Sequence, residues 1–566
     1  MSGRCQTRNC TRLPLRRRAP SRLVALCSLV VVAVGSAQVR AEKPLSTLID
    51  EQIVAGWKSR KLEPAPLCTD AEFLRRATLD LTGTIPTAER VRSFLADKAA
   101  DKRAKLVDAL LASPEHARHM QHTFDVFLLE RQHANYVTDK EWRDYLRESF
   151  AKNKPWDRLV AEMLGTDGLD PAVRPALRFA FVRTQDSNRT MNPNALTRDV
   201  GRLLLGVNLQ CAQCHDHPSI DDYKQADYHG LYAFVNRTYI TSVKQKDGKQ
   251  LMVLAEKPEG DVKFTSVFDP KKQEHTTTPH LPGAPQLKEP KLEKGKEYKV
   301  VAADGVKPVP AFSRRDEMVK QLPSANNPAF ARNMANRLWA HMFGRGLVHP
   351  VETHHTKNPA SHPELLNLLA ERFASSKFDM RMLLREMALS RAYQLSSAVP
   401  AGKARPPAEA FAAREPRGLP PETLAAAVMQ ATGLTDAVRK GLAAKASEAA
   451  VYDQLANSHA SYAKVFAGPA GQAETEFQAS LDQALFLEHG GTLIEWVANK
   501  PGYLLGRLSQ LPDPAEELYL SVLSRLPTKD EAAEVAELCR VKEERPAALQ
   551  DLLWALVASA EFRFNH

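Results

Sequence analysis

The chain has 566 residues, of which 25% are charged, and its formal net charge is +10. Residues 1–41 contain eight arginines and no acid, so removing that segment would leave about 525 residues with a charge near +2. The net charge of the full chain therefore gives no support to a nucleic-acid-binding function. The length of the remaining chain allows two or three domains.

Residues 1–41 have the pattern of a secretory signal peptide. A basic leader that ends at Arg22 precedes the apolar run Leu23–Gly35, and Ala41 offers a cleavage position before Glu42. Because the run is short for a membrane span, we expect cleavage rather than an uncleaved anchor, and no stable membrane span afterwards. The mature protein should then be periplasmic or secreted, or held in the cell envelope.

Export also decides how the cysteines are interpreted. Three of the seven lie in the signal segment, which leaves Cys68, Cys211, Cys214 and Cys539. An oxidising compartment permits a disulfide between Cys68 and Cys539, although only the even number suggests this pairing.

After the signal, the apolar spacing is mainly helical. Apolar residues recur at i, i+3 and i+4 from Leu45 to about Phe234, with Thr87 and Ser113 in the positions of helix caps. Residues 237–310 differ, because turn signals there separate short β-type runs such as Leu251–Leu254, Val262–Phe268 and Tyr298–Val301.

Helical spacing returns at Arg314 and continues almost to the end of the chain. It includes Phe330–Phe343, Pro363–Phe373 and Met380–Tyr393, whose methionines we interpret as core residues rather than iron ligands. Residues 400–420 are rich in Ala, Pro and Arg, which is typical of a linker.

The sequence thus predicts a mainly α fold, in which two helical domains are joined by a strand-containing insert. We expect the boundaries to follow the changes in pattern: a signal peptide at 1–41, an N-terminal helical domain at 45–236, the insert at 237–312, the first part of a C-terminal helical domain at 313–399, a linker at 400–420, and the rest of that domain at 421–566.

One segment, Cys211-Ala212-Gln213-Cys214-His215-Asp216-His217-Pro218, concentrates candidate ligands and nucleophiles; we call it the octet. Two thiols three apart, with an imidazole after the second, is the spacing that attaches a c-type haem. Cys211 and Cys214 would bond the vinyl groups, and His215 would be an axial iron ligand. The preceding run, Arg198–Gln210, is apolar at helical spacing and predicts a buried helix that ends at the octet.

Two other uses of the octet remain open. A zinc or iron site would combine the thiols with the many nearby oxygen and nitrogen donors, which are His215, Asp216, His217, Asp221, Asp222, Asp227 and His229. A Cys211–Cys214 disulfide would need none of these donors. If haem is bound, its second axial ligand would come from Met191, His229 or His217.

A group of histidines also marks the second half of the chain: His341, His349, His354, His355 and His362. They could bind a metal, but no pair has the i, i+4 spacing and acid of a metalloprotease helix. The alternative is a structural role, in which Arg337, Arg345 and Glu352 form an ion-pair network that holds the Trp339 helix to its loop. The sequence contains no nucleophile elbow, phosphate loop or dinucleotide fingerprint, so it leaves open whether the protein is an enzyme.

Several longer motifs resemble a known pair of domains. The N-terminal motifs are LRRATLDLTG at 74–83, PT at 86–87, LLASP at 110–114, the octet, and DYHGL at 227–231. The C-terminal motifs are NPAFAR at 327–332, NRLW at 336–339, FGRGLV at 343–348, HPELL at 362–366, LSRAY at 389–393, and the ending from Trp554 to Phe562. Together they resemble the secreted, planctomycete-type family of unknown function that joins an N-terminal cytochrome-like domain, PSCyt-two, to a C-terminal PSD-one domain.

The resemblance implies a helical cytochrome-like domain whose activity is unassigned and whose haem label rests on the CxxCH motif. The chain departs from the family pattern at Thr84-Ile85 and at Thr353-His354-His355, and it has no second CxxCH. Two functions follow. One is an exported redox or electron-transfer protein that carries haem c and meets a redox partner in the envelope. The other is a non-redox envelope protein that binds or processes polysaccharide and uses the octet as a metal or disulfide site.

Overall fold

A computed structural model describes residues 43–185, 190–443, 446–472 and 480–566. The expected signal peptide at 1–41 lies outside these residues, so its cleavage stays a prediction. Residues Pro44–His566 form one compact unit. Within the described stretches, no helix combines the length and the apolar character that crossing a bilayer requires.

Helices occupy most of the chain between residues 45 and 235. Many begin at a capping hydroxyl: Thr87 and Ser113 each accept a hydrogen bond from the backbone N–H three residues later, which confirms the two predicted caps. The helices are α1 (Leu45–Ser59), α2 (Asp70–Thr82), α3 (Ala88–Ala96), α4 (Lys102–Ala112), α5 (Pro114–Leu129), α6 (Asp139–Ala151), α7 (Trp156–Gly165), α8 (Arg178–Phe181), α9 (Pro193–Asp199) and α10 (Gln225–Val235).

The β structure consists of short antiparallel pairs of strands. The longest pairs β3 with β4 through seven residues, from Thr238 opposite Glu256 to Lys244 opposite Gln250. The strands are β1 (Thr184–Gln185), β2 (Thr190–Met191), β3 (Thr238–Lys244), β4 (Gln250–Glu256), β5 (Val262–Phe264), β6 (His275–Thr277), β7 (Tyr298–Val300), β8 (Val309–Pro310), β9 (Arg417–Gly418) and β10 (Phe564–Asn565). Strands β3 to β8 lie in the segment where the sequence predicted strands.

Helices then continue to the C-terminus. They are α11 (Arg314–Gln321), α12 (Pro328–Phe343), α13 (Pro363–Ser375), α14 (Met380–Leu389), α15 (Pro421–Ala431), α16 (Leu434–Gly441), α17 (Glu448–Phe466), α18 (Leu481–His489), α19 (Gly491–Trp496), α20 (Leu504–Leu508), α21 (Ala515–Val522), α22 (Lys529–Leu538), α23 (Arg545–Ala558) and α24 (Ala560–Arg563). The prediction of a mainly α fold is confirmed.

Helices α1 to α14 bury their apolar faces in a single core. Residues from both halves of the chain meet there, because Ile49 and Ile53 of α1 lie in the same cluster as Leu383 and Met387 of α14. The Trp57 indole N–H crosses between the halves and donates to the Ala410 carbonyl at 2.8 Å. Helices α15 to α23 supply most of a second cluster, which also contains Leu79 and Ile85.

The segment at 400–420 connects α14 to α15, but it is packed rather than free. Phe411 and Ala412 lie in the first core, and the Arg414 side chain is 3% exposed. The segment is therefore packed against the protein although its composition is typical of a linker. Its two arginines, Arg414 and Arg417, form ion pairs with a buried carboxylate.

That partner is Asp80 of α2, whose side chain is 1% exposed. Its carboxylate accepts hydrogen bonds from the Tyr393 hydroxyl at 2.7 Å and the Asn565 amide at 2.6 Å, and it forms ion pairs with Arg414 and Arg417. One carboxylate thus connects an N-terminal helix, the 400–420 segment and the last strand of the chain.

Candidate functional site

The approach to the octet is not one continuous helix. α9 ends at Asp199, a π-helical stretch follows at Val200–Leu205, and Gly206 then turns the chain with φ of 74°. A Cβ at Gly206 would lie 2.7 Å from the His354 ring, so both the backbone conformation and the packing require glycine. The predicted buried helix is therefore present as far as Leu205, but its predicted continuation to Gln210 is wrong, because Gly206 turns the chain out of the helical path.

The octet begins on a separate 3-10 turn, Cys211–Gln213, with Cys214 as its C-terminal cap. Residues three apart on such a turn lie on the same face, so the turn places Cys211 and Cys214 on one face. Both are exposed and unpaired. Cys68 is buried and Cys539 partly buried, and the structure leaves these two thiols unpaired as well.

The His215 side chain has a defined tautomer. Its Nδ1 lies 2.6 Å from the backbone carbonyl oxygen of Asp216. A carbonyl can only accept, so Nδ1 carries a proton, and in the neutral ring Nε2 then holds the lone pair. The ring also contacts the Phe268 ring, with centroids 4.3 Å apart. His215 is thus held by its second nitrogen in the way that orients a metal-ligating histidine.

An apolar surface adjoins this imidazole. Val267 is 65% exposed and Phe268 70% exposed, and the Val267 backbone N–H donates to the Cys214 carbonyl at 3.0 Å. No motif in the sequence links these two residues to the octet, because they follow β5 and lie about 50 positions after it. Nothing in their local sequence distinguishes them from an ordinary strand end.

Asp216 has a structural role at the start of α10. Its carboxylate accepts from the Gln225 N–H at 2.8 Å and lies 3.5 Å from the Lys224 ammonium group. A carboxylate at this position satisfies an otherwise unpaired N–H and interacts favourably with the positive end of the helix dipole. This use competes with metal ligation by the same oxygens.

His217 is also held by the backbone, in the opposite tautomer. Its Nδ1 accepts from the N–H groups of Ser219 and Ile220, at 3.1 and 3.0 Å. Because Nδ1 accepts, the neutral ring carries its proton on Nε2 and has no second lone pair for a metal. His217 therefore organises the turn after the octet.

His229 of α10 lies beside the same turn. Its Nε2 donates to the Gln213 carbonyl at 3.2 Å, and its ring stacks on Phe264 at 4.4 Å. Burial lowers the pKa of the imidazole below its ordinary value, although the bond to Gln213 opposes the shift. The remaining nitrogen, Nδ1, is buried without a hydrogen-bond partner in the described residues.

The candidate metal ligands are therefore dispersed among structural contacts. Across the described stretches, no group of three or more His, Cys, Asp and Glu side chains is arranged to hold a metal ion. Asp222 accepts from the Thr356 N–H, and Asp221 lies 3.3 Å from the Lys357 ammonium group. The structure brings Cys211, Cys214 and His215 together on one turn but gives Asp216, His217 and His229 other partners.

A loop from the C-terminal half, residues 349–358, contacts the chain on both sides of the octet. The Tyr223 hydroxyl donates to the His354 carbonyl at 3.2 Å, and the Lys357 ammonium group donates to the Ser219 carbonyl at 2.7 Å. The His354 N–H donates to the Gly206 carbonyl at 2.9 Å. The loop that contains Thr353, His354 and His355 thus holds the segments that flank the octet.

An ion-pair network fixes this loop to the helices below it. Glu352 lies 3.1 Å from Arg337 and 3.2 Å from Arg202, and Arg202 also pairs with Glu130 at 2.6 Å. The interpretation that Arg337 and Glu352 hold the loop agrees with the structure. The third member, however, is Arg202 rather than Arg345, because Arg202 reaches the loop from the π-helical stretch before the octet.

The histidines of the second half do not form one cluster. His341 donates to the backbone carbonyl of Asp80 at 2.9 Å, and His354 lies 3.4 Å from the Asn336 amide. Burial, together with the charge of Arg332, lowers the pKa of His354 to about 4. Burial, together with Arg60, lowers that of His362 to about 4. These rings are neutral packing elements at pH 7.

Comparison with known proteins places both halves of the chain. Residues 48–239 match the family model PSCyt2, a protein of unknown function (DUF1549), and residues 314–539 match PSD1, a protein of unknown function (DUF1553). No curated protein matches the chain, and no solved structure does. The two matched ranges lie on either side of the hairpin segment at 240–313.

Proposed function

The chain belongs to the proteins that join an N-terminal PSCyt2 domain to a C-terminal PSD1 domain, and from the chemistry of its octet we propose that it is an exported, haem-bearing redox protein of the cell envelope. Cys211 and Cys214 would hold a c-type haem, and His215 would be its axial ligand. When bound, the haem would supply one-electron chemistry to a redox partner in the envelope.

The tautomer of His215 is the observation that carries the proposal. Its Nδ1–H donates to the Asp216 carbonyl, so the Nε2 lone pair is available on a ring that is already oriented. A histidine held in the other tautomer, as His217 is, would have to break two backbone hydrogen bonds before it could bind iron.

The two thiols are suited to covalent attachment. Each S–H would add across one vinyl C=C bond, with the sulfur bonding one carbon and the hydrogen going to the other, so neither an oxidant nor a reductant is consumed. This addition needs reduced, accessible thiols, and both Cys211 and Cys214 are exposed and unpaired.

The apolar surface beside the octet could be buried by a hydrophobic cofactor. Val267 and Phe268 are large apolar side chains left mostly in solvent, and Phe268 already contacts the His215 ring. Removing apolar surface from water contributes about 25 cal/mol per Å². A macrocycle over these side chains would be stabilised by this burial as well as by its thioether bonds.

His215 would be the main protein ligand, because the three candidates for a second axial position are engaged elsewhere. Met191 is buried in the core, and His217 holds its proton on Nε2. His229 retains a lone pair on Nδ1, but that atom is buried and the ring is stacked on Phe264. None of these three side chains is therefore placed to hold the iron together with His215 without giving up its present contacts.

The test is to express the full chain in cells with a working haem-attachment system and to examine the purified protein. The expected result is visible haem absorption, peroxidase staining that survives denaturing electrophoresis, and a mass increase of one haem on the peptide that contains Cys211 and Cys214. Colourless protein with both cysteines unmodified would overturn the proposal. Bound zinc or iron in that colourless protein would favour the metal site instead.

Four variants distinguish the role of each residue. Cys211→Ala and Cys214→Ala should each reduce covalent retention, and His215→Ala should change the iron spectrum while the haem stays attached. Cys539→Ser is the matched control, because this thiol is partly buried and lies outside the octet. Haem loss in the control equal to that in Cys211→Ala would contradict specific attachment.

A further inference from the structure

A cavity of about 280 Å³ lies where the N-terminal helices α2, α3 and α5 meet α15, α16 and α17. Its volume is near the lower end of the range of about 300–1,000 Å³ that is usual for small-molecule sites. The octet is not part of its lining. The cavity is therefore separate from the proposed haem site.

Three guanidinium groups and two carboxylates line this cavity. Arg118 and Arg439 both pair with Glu448, at 3.1 and 2.9 Å, which fixes all three side chains at one side of it. Arg90 is exposed at the mouth, and its side chain forms no ion pair or hydrogen bond within the described part of the chain. With Glu115 as the second carboxylate, the charged lining has a net charge of +1.

One of the buried polar residues in the lining is His459, which is 6% exposed. Its Nε2 donates to the Glu422 carbonyl at 2.8 Å, so its Nδ1 is a hydrogen-bond acceptor. No described hydrogen bond reaches that Nδ1, and the ring lines the cavity. Because the ring lines the cavity, a ligand hydroxyl group could donate a hydrogen bond to this Nδ1 acceptor.

The surroundings of His459 keep it an acceptor. Burial lowers the pKa of its imidazole to about 4, and the charges of Arg118 and Arg143 act in the same direction. The ring stacks on His122 at 4.9 Å, and the Nε2 atom of His122 lies 2.7 Å from the Tyr452 hydroxyl group. The ring is thus neutral and fixed in orientation at pH 7.

The rest of the wall combines hydroxyl groups with small apolar surfaces. Thr84, Thr87 and Ser113 contribute hydroxyls, and Ile85 and Leu455 contribute apolar contacts. Hydroxyl groups and charged groups beside a small apolar surface suit a ligand with several hydroxyl groups. A net positive charge with an unpaired guanidinium at the mouth suits a carboxylate on that ligand.

We propose that this cavity binds a small sugar acid, with its carboxylate at Arg90 and its hydroxyl groups at His459 and the glutamates. The proposal is independent of haem attachment, because no lining residue belongs to the octet. The ligand would occupy the junction between the PSCyt2 and PSD1 domains, so its binding would stabilise their contact.

Isothermal titration calorimetry of the full chain with D-glucuronate tests the proposal. One molecule should bind per chain, with affinity at least about tenfold higher than that of D-glucose, which lacks the carboxylate, or of inorganic phosphate, which lacks the hydroxylated ring. The proposal fails if glucuronate gives no saturable heat. It also fails if glucose or phosphate binds as tightly as glucuronate, since either result would assign the cavity to another ligand class.

Two variants and one control locate the binding. Arg90→Ala should weaken glucuronate binding about fivefold, because an exposed charged contact is lost, and His459→Phe about tenfold, because a hydrogen-bond acceptor is lost. Arg158→Ala, which removes an exposed arginine of α7 outside the lining, should leave it unchanged. Equal affinities of wild type and Arg90→Ala would overturn the proposed orientation, and this variant should not disturb folding because Arg90 is exposed.

Discussion

Replacing Asp80 by asparagine should destabilise the protein more than the loss of any surface carboxylate. The Asp80 side chain is 1% exposed, and it neutralises two guanidinium groups, those of Arg414 and Arg417. Asparagine can keep the hydrogen bond from Tyr393, but it leaves the two arginines without their negative partner. Breaking a buried ion pair on one side typically costs about 3–5 kcal/mol of unfolding free energy.

The magnitude follows from what the carboxylate connects. Arg414 is completely buried, and burial lowers the pKa of its guanidinium to about 10 even with Asp80 present. Without Asp80 the cost of burying this charge is no longer offset. The variant should therefore lose about 3–5 kcal/mol, and the last strand, held through Asn565, should become accessible to proteases.

Urea unfolding followed by circular dichroism is the assay, with Asp108→Asn as the matched control. Asp108 also pairs with an arginine, Arg385, but their side chains are 51% and 38% exposed. Such a surface pair contributes about 0–1 kcal/mol. If Asp80→Asn and Asp108→Asn shift the unfolding midpoint equally, the argument from burial is wrong.

The same carboxylate gives a pH dependence with a definite sign. Burial alone would raise the pKa of Asp80, but Arg417, Arg414 and the Tyr393 hydroxyl outweigh it and hold the pKa below its ordinary value. The stabilisation is therefore fully present above the unfolded pKa, near 4, and is lost as the pH falls through the lower folded value. Wild type should lose its advantage over Asp80→Asn in that acid range, and a constant difference down to pH 2 would contradict this.

Three further predictions concern the octet and its supports. Gly206→Ala should cost about 1–3 kcal/mol more than Gly248→Ala in chemical unfolding, because both glycines have positive φ but only Gly206 has close neighbours. Tyr223→Phe should cost about 1 kcal/mol in the same assay by removing the hydroxyl bond to the His354 carbonyl, and an unchanged midpoint would show that this bond is not stabilising. Burial lowers the folded pKa of His354 to about 4, so its neutral ring should stabilise the fold fully above pH about 6.5 and progressively less toward pH 4; a His354→Gln variant should lose that part of the pH dependence.

The sequence by itself determined those features that depend on neighbouring residues. Thr87 and Ser113 were identified as helix caps because a cap needs only a hydroxyl and an N–H three residues later. The mainly α class followed from apolar spacing, and the hairpin segment from turn residues and β-type runs. The octet was found for the same reason, since two thiols and a histidine of a haem-attachment motif lie within five residues.

Predictions from local sequence patterns were wrong where a contact with a residue distant in sequence decided the local structure. The apolar run before the octet has helical spacing, but Gly206 ends the helix because His354, from a distant loop, occupies the space where a side chain would lie. The segment at 400–420 has the composition of a linker, yet Arg414 and Arg417 are drawn toward Asp80, more than 300 positions earlier. Neither outcome can be derived from the residues next to these positions.

The tertiary structure also decided the chemistry of the candidate site. His215 and His217 are the same residue type in one motif, but their side chains have opposite tautomers. The Nδ1–H of His215 donates to a carbonyl, whereas the Nδ1 of His217 accepts from two N–H groups. Phe268 reached His215 through a strand that is remote in sequence. The sequence determines which chemical groups are available. Hydrogen-bond direction and burial determine what each group can do, and both depend on partners that only folding brings close.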